Sequence, residues 1–429
     1  MFKQNEEKLV VGYDLSDTFS QMSYYVQGSE DVETLSLVAG TQNYNIPTVL
    51  CKRSGVNQWF YGKEALRYSQ ESGGILVQNL VQLAVDGEPL IIEEISYEPV
   101  ALLTLFFKRS LGMLSQIGAA DKISALMITC DNLDYRMITV LSQVVAGLKL
   151  KTDKVFFQSH TESFYNYMIH QPKELWLAKA LLFEYKENYI NIYQMECNKR
   201  TTPIVAYIDS RTVAFSPYEP MPESEELRAG KQARLDEEFL HVAEQACRNN
   251  IVSSVYLIGE HFSDEWMKQS LRFLCKGRRV FQGNNLYSKG ACYGMLERLH
   301  ASEEGKAHVF LGNDKLKTNV GMKILRRGEE SYVALLDAGI NWFEAEKTLE
   351  FYLQDGKSVE LILTSLIGGG SKTATITLEE LKGDVSLLNM HLYLSEESRL
   401  VVEIEDIGFG ELKEATHHVW REEIALYER

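Results

Sequence analysis

Leu9-Val10-Val11-Gly12-Tyr13-Asp14-Leu15-Ser16-Asp17-Thr18 is the stretch on which the reading of the whole chain turns. Its first half reads as a buried strand. It then passes into a tight turn of acid and hydroxyl residues. An acid followed by small hydroxyl residues at a strand end can hold a hydrated metal and offer backbone N–H groups to phosphate. Asp14 is therefore the candidate metal and catalytic residue, and Leu15, Ser16, Asp17 and Thr18 form the candidate phosphate loop. Read alone, Asp14 serves equally as a turn cap, because Asp and Ser are favoured there for backbone hydrogen bonding.

Outward from this stretch, the first part of the chain alternates strands and helices. Residues 18–25 and 33–37 alternate apolar and polar side chains as meander strands do. Residues 46–50 open another strand and residues 62–66 a helix, and residues 99–117 carry the wide apolar face of an amphipathic helix. Residues 124–130 read as a doubly buried strand, followed by an N-cap at 131–134 and a helix through 145. A strand at 154–157, a helix at 162–169 and a hairpin of 180–185 with 189–195 come next. The segment 216–238, rich in Pro and acid, reads as a linker or exposed loop passing into a charged helix start, and 236–249 reads as a helix. A strand at 254–259 and helices at 264–274 and 288–299 complete this part. His160 and His170 flank an aromatic helix and read as ordinary partly buried or surface histidines. Glu184, at a strand end, reads as a solvated edge charge rather than a metal-organising acid.

Polar residues 301–307 mark a boundary. Beyond it, residues 331–336, 348–353, 358–363, 373–378, 389–394 and 399–404 read as short strands separated by turn signals, the pattern of an all-β sandwich. Gly368-Gly369-Gly370-Ser371 links two of these strands with no helix behind it, so it reads as a flexible loop rather than a phosphate loop. The expected division is 1–304 for the α/β part, with lobes of about 1–177 and 178–304, and 305–429 for the sandwich.

The chain has 429 residues, too long for one ordinary core, and is 45% hydrophobic with only 8 prolines, a composition for packed domains rather than disorder. A net charge of −16 argues against nucleic acid and anionic membrane as main partners. No apolar run reaches membrane-spanning length and the N-terminus lacks a signal-peptide core, so a cytoplasmic protein is expected. The six cysteines are scattered in apolar contexts without a C-x-x-C pair, and the nine histidines show no zinc spacing.

An α/β half followed by a β-sandwich resembles the bacterial-type DnaK heat-shock chaperones, in the superfamily of sugar kinases, chaperones and actin. Gly12 to Thr18 is similar to the first phosphate loop of that family. Ile46-Pro47-Thr48-Val49 and Tyr61-Gly62-Lys63-Glu64-Ala65 fall where the family has a proline-serine strand and a glycine-x-x-alanine helix start. Ala125 to Cys130 through Ala146-Gly147-Leu148 resembles a family strand and helix. Ser254 to Glu260 and Tyr287 to Gly294 resemble the adenosine loop and closing helix, which makes Gly259 a candidate nucleotide contact. Leu392 to Val402 is similar to paired strands of the peptide-binding module. The resemblance implies an actin-like, two-lobed ribonuclease H-like ATPase fold followed by a sandwich. It also implies ATP or ADP with Mg as the cofactor, and an extended peptide or protein as the partner of the sandwich.

The departures fall on the chemistry. Where the family's second phosphate loop has three glycines, this chain has Glu184-Tyr185-Lys186-Glu187-Asn188-Tyr189, and side chains there block the approach of backbone to phosphate. Gln78 aligns with the lysine that stabilises the transferring phosphoryl group, and Ser159 with a family glutamate. Glu260 replaces an adenosine-loop glycine, and Asp17 a threonine. The chain also ends soon after the sandwich, so the helical lid is expected to be missing. The expectation is a chaperone-like pseudo-ATPase that binds proteins as a scaffold. The alternative is an active, magnesium-dependent ATPase using Asp14 and Glu184, with Lys186 or Lys63 replacing the missing lysine.

Overall fold

In the computed structural model, residues 8–117, 122–259, 261–263, 265–354, 356–368, 370–381, 385–409 and 413–426 are described. The chain forms two compact units, Met1–Val309 and Phe310–Arg429.

The first unit repeats one topology. Strand Leu9–Leu15 runs antiparallel to Phe19–Val26, which pairs with Glu33–Thr34, and parallel to Ile123–Cys130, which pairs with Val155–Ser159. The second sheet has the same order: Lys179–Tyr185 runs antiparallel to Tyr189–Asn198, then Ile204–Ala214, and parallel to Val252–Ile258, then Arg279–Gln282. The helices repeat as well. Pro99–Leu111, Tyr135–Leu148 and His160–Ile169 follow the meander and the two parallel strands of the first sheet; Glu225–Cys247, Gln269–Leu274 and Leu286–Leu299 do so in the second. Both strands read as buried, and they are: every residue of Leu9–Leu15 is buried, and so are the last six of Ile123–Cys130.

Glycines set how closely these layers approach. A Cβ on Gly290, in helix Leu286–Leu299, would lie 1.9 Å from the carbonyl oxygen of Ser163 in helix His160–Ile169. A Cβ on Gly12 would lie 2.3 Å from both the amide nitrogen of Cys292 and the carbonyl oxygen of Ser288. The closing helix therefore meets a strand and a helix of the first lobe at backbone distance, which no larger residue permits.

Several elements differ from the sequence reading. Only Glu33–Thr34 of 33–37 pairs as strand, and the helix over 99–117 is α-helical only to Leu111, with a 3₁₀ turn over Gly112–Gln116. The segment 216–238 is not a linker throughout, because helix Glu225–Cys247 begins within it. Its acidic first turn suits a helix N-terminus; its first turns are exposed, and only from Leu235 onward does an apolar stripe (Phe239, Val242, Ala243, Ala246) enter the core. Strand Ile204–Ala214 was not legible because it is mostly half-buried or exposed. Helix Gln269–Leu274 is shorter than 264–274, and Asp264 lies outside the described residues. Cys275 is exposed rather than buried.

The second unit holds two four-stranded antiparallel sheets. One is ordered Glu329–Leu336, Thr318–Arg326, Ser358–Ser365, Ser371–Thr377; the other Glu346–Gln354, Val385–Glu396, Arg399–Gly408, Val419–Ala425. Alternation puts Leu388, Met390, Leu392 and Leu394 on a buried face, with Leu400, Val402 and Ile404 beside them. Thr318–Arg326 and Val419–Ala425 are additional to the strands read from sequence. The glycine loop joins Ser358–Ser365 to Ser371–Thr377; its Gly369, like Asp355 in the preceding turn, is outside the described residues.

Candidate functional site

The repeated topology brings two acids into equivalent positions. Asp14 is the sixth of the seven residues of Leu9–Leu15 and Glu184 the sixth of the seven of Lys179–Tyr185. Each central strand is hydrogen-bonded on both sides there, Asp14 lying opposite Gln21 and Thr129, Glu184 opposite Asn191 and Ile258. Both acids are buried, to 4% and 5% exposure. The reading of Glu184 as a solvated edge charge is thus corrected: its strand is central, not an edge.

A buried carboxylate needs a partner, and each is paired with a basic side chain. The Oδ1 of Asp14 accepts a hydrogen bond from the Nε2 of His160 at 2.8 Å. His160 is itself 3% exposed and its ring stacks on Tyr287, centroids 3.9 Å apart and 5° from parallel. This buried, paired ring corrects the reading of His160 as an ordinary surface or partly buried histidine. Burial works against its charge, but the Asp14 carboxylate, helped by Asp131 and Glu184, outweighs it and raises the imidazole above the usual histidine range. The Oε1 of Glu184 accepts from the Nζ of Lys186 at 2.8 Å, while its Oε2 accepts from Asn191 Nδ2 at 3.0 Å and from the Tyr193 hydroxyl at 3.4 Å. Burial again opposes the charge on Lys186, and Glu184, with Asp131 and Asp14, raises its pKa nonetheless.

The residues of the candidate phosphate loop are engaged locally. The Ser16 hydroxyl donates to the Phe19 carbonyl at 2.7 Å and accepts from the Phe19 amide at 3.3 Å, closing its own turn. The Asp17 carboxylate accepts from the amides of Val81 at 2.8 Å and Gln82 at 3.3 Å, capping helix Leu80–Asp86, where the preceding Asn79 makes no capping bond. Asp17→Ala should therefore cost about 1 kcal/mol of stability, as lost caps do, measured by urea denaturation. Ser159 caps helix His160–Ile169, its Oγ accepting from the Glu162 amide at 3.3 Å. Gly259 is explained without a ligand: its φ is +114°, and a Cβ would lie 2.7 Å from the Tyr185 carbonyl oxygen.

Two adjoining pockets, about 580 and 220 Å³, share Ser16, Thr18, His160, Lys186 and Glu187. Leu15, Asp17, Asp131 and Asp134 line the larger, and Asp14, Glu184, Gly259 and Tyr287 the smaller. Lys186 is the lysine brought to this cleft, whereas Lys63 and Gln78 are exposed and line neither pocket. Glu260 lies outside the described residues. These residues do not fit a magnesium nucleotide. Both inward-facing acids are already paired with basic side chains of the chain, the second hairpin turn is filled by side chains, and Asp131, Asp134 and Glu187 add negative charge against phosphate. Among the described residues no group of three His, Cys, Asp or Glu side chains is placed to hold a metal ion.

The role of His160 escaped the sequence reading. The available signal was its place in the first turn after a strand parallel to the strand carrying Asp14, where a side chain points back over the sheet end.

Residues 31–313 match the family model described as "Family of unknown function (DUF5716) C-terminal". The chain belongs to the DUF5716 family. Residues 315–426 match a second model, "Domain of unknown function (DUF8552)". No curated protein matches the sequence. Among the described residues, no helix of this DUF5716 chain is long and apolar enough to cross a membrane.

Proposed function

We propose that this chain is a catalytically degenerate, actin-like relative of the DnaK-type chaperones that binds proteins as a scaffold and does not turn over nucleotide. The duplicated strand order supports the two-lobed reading. The observation that carries the loss of turnover is the internal neutralisation of Asp14 by His160 and of Glu184 by Lys186. A phosphoryl-transfer site spends such acids on a metal bound to substrate. Here they are spent on the chain's own side chains.

The binding surface is one of the two edges of the second unit's first sheet, that of Ser371–Thr377. Strand Ser371–Thr377 (Ser-Lys-Thr-Ala-Thr-Ile-Thr) is exposed along most of its length, β-prone, and carries one charge. The opposite sheet ends in Val419–Ala425, whose Arg421, Glu422 and Glu423 blunt that edge against pairing. An extended segment added to Ser371–Thr377 would pair its backbone there. With bound peptide, amide hydrogen exchange is expected to slow in 371–377 and not in 419–425; protection of neither edge would contradict the proposed surface. Steady-state assays should detect no ATP turnover above a buffer control. Turnover abolished by Asp14→Asn would instead establish the alternative ATPase.

A further inference from the structure

We propose that an acidic hairpin of the first lobe in one copy of the chain docks into a basic cavity of the second lobe in another, so that copies join head to tail. The inference goes beyond the peptide edge and the cleft and depends on neither. The hairpin pairs Leu90–Ile92 with Ile95–Tyr97. Residues 86–98 around it carry five acids (Asp86, Glu88, Glu93, Glu94 and Glu98) and no basic residue. Ile91 is 73% exposed, and Ile95 is exposed beside the tip. The tip itself, Glu93-Glu94, holds φ values of +49° and +65°, the left-handed region that two-residue turns of this kind fill with Asn-Gly. Glu93 has a local reason to be there, since its carboxylate pairs with Lys52 and accepts from the Gly55 amide at 3.0 Å. Glu94 has none: it is exposed and joins no ion pair among the described residues. Strained backbone is thus spent on a carboxylate that its own chain does not use.

The cavity, about 690 Å³, lies at the end of the second sheet away from Glu184. Leu177 and Ile251 line it, yet both are exposed, Ile251 to 82%. Two large apolar side chains bared at one concave site mark a surface that a partner covers. Lys179 there pairs with Glu196 at 2.8 Å. Lys199 and Arg200 are exposed and join no ion pair among the described residues, which leaves a local surplus of positive charge in a chain of net charge −16. The Lys199 Nζ donates to the Leu177 carbonyl at 3.1 Å, which holds that charge beside the bared leucine. All lining residues fall between 177 and 251, so the chain's own hairpin takes no part in the cavity. Acid beside bared isoleucine on one surface thus complements base beside bared leucine and isoleucine on the other. Because the two surfaces differ, the contact is heterologous, and each joined pair still offers one unused hairpin and one unused cavity.

Sedimentation velocity of the full chain, over a range of concentrations at low and high salt, is the test. Wild type is expected to shift from monomer to larger species as concentration rises. The shift should weaken at high salt, because exposed charges are screened. Glu88→Lys with Glu94→Lys, and separately Lys199→Glu with Arg200→Glu, should each remain monomeric over the same range. Mixed together, the two variants should associate again, because each hairpin then meets a cavity of opposite sign in the other protein. All four positions are exposed, so both variants should melt with wild type. The proposal is overturned if wild type stays monomeric throughout, the result given by a cavity that serves an acidic segment of a different protein. It is equally overturned if either reversed variant associates as wild type does, or if the mixed, folded variants stay monomeric.

Discussion

His160→Leu is expected to destabilise the first unit by about 3–5 kcal/mol, the scale for removing one partner of a buried ion pair. The Asp14 carboxylate then stays buried in a central strand without its 2.8 Å partner, and the stack on Tyr287 is lost as well. The apolar double replacement, Asp14→Leu with His160→Leu, should recover most of that loss, because exchanging a whole buried pair for apolar groups is close to neutral. The sign of the pH dependence follows from the raised imidazole. The folded state binds the proton more tightly than the unfolded chain, whose histidine titrates near about 6.5. The pair's contribution is therefore complete below that pH and is lost as pH rises through the higher folded pKa. Urea denaturation of wild type and His160→Leu across this range should give a difference that is largest at the acid end and shrinks with rising pH. A constant difference would mean that the histidine is neutral when folded.

Gly290→Val is expected to prevent the first unit from reaching its native packing, with a loss of at least about 3 kcal/mol, at or beyond the upper end of overpacking penalties. The atom met at 1.9 Å is the Ser163 carbonyl oxygen, part of a helix backbone, so no side chain can rotate to make room. The two crossing helices must separate, and the closing helix also lies on Gly12 of the first strand, so the displacement reaches the strand that carries Asp14. Gly230→Ala is the control. Gly230 sits in the exposed first half of helix Glu225–Cys247 with nothing within 4 Å of its Cβ position, and alanine there should stabilise by about 0.5–1 kcal/mol. Equal effects at the two positions in thermal melts would refute the packing argument.

Much of the first unit was legible because its signals are local. A continuous apolar run such as residues 124–130, closed by the Asp134 cap, can be little else than a buried strand leading into a helix. The elements that escaped lack that contrast. Ile204–Ala214 has no continuous buried face, and the first turns of Glu225–Cys247 carry no apolar stripe, so their acid and the prolines before them read as linker. The candidate site was legible only as a list of residues. Asp14 and Glu184 could be picked out as acids at strand ends, but their equivalence depends on a duplicated sheet order that no short stretch encodes. Their cations were hidden for opposite reasons. Lys186 is two residues from its acid and was noticed mainly for the glycines it displaces, while His160 is 146 residues from Asp14 and pairs with it only through tertiary folding. Asp17 and Ser159 stood out as replacements at nucleotide-site positions of the resembling family and Gly259 as an adenosine-loop glycine, yet each has a local role as a cap or a tight approach.

The most direct test of the self-neutralised cleft is the melting temperature of the full chain with millimolar ATP or ADP, with and without Mg²⁺. A ligand that binds only the native state must raise it. The expected result is no magnesium-dependent rise with either nucleotide; a clear rise that disappears in Asp14→Asn would contradict the account.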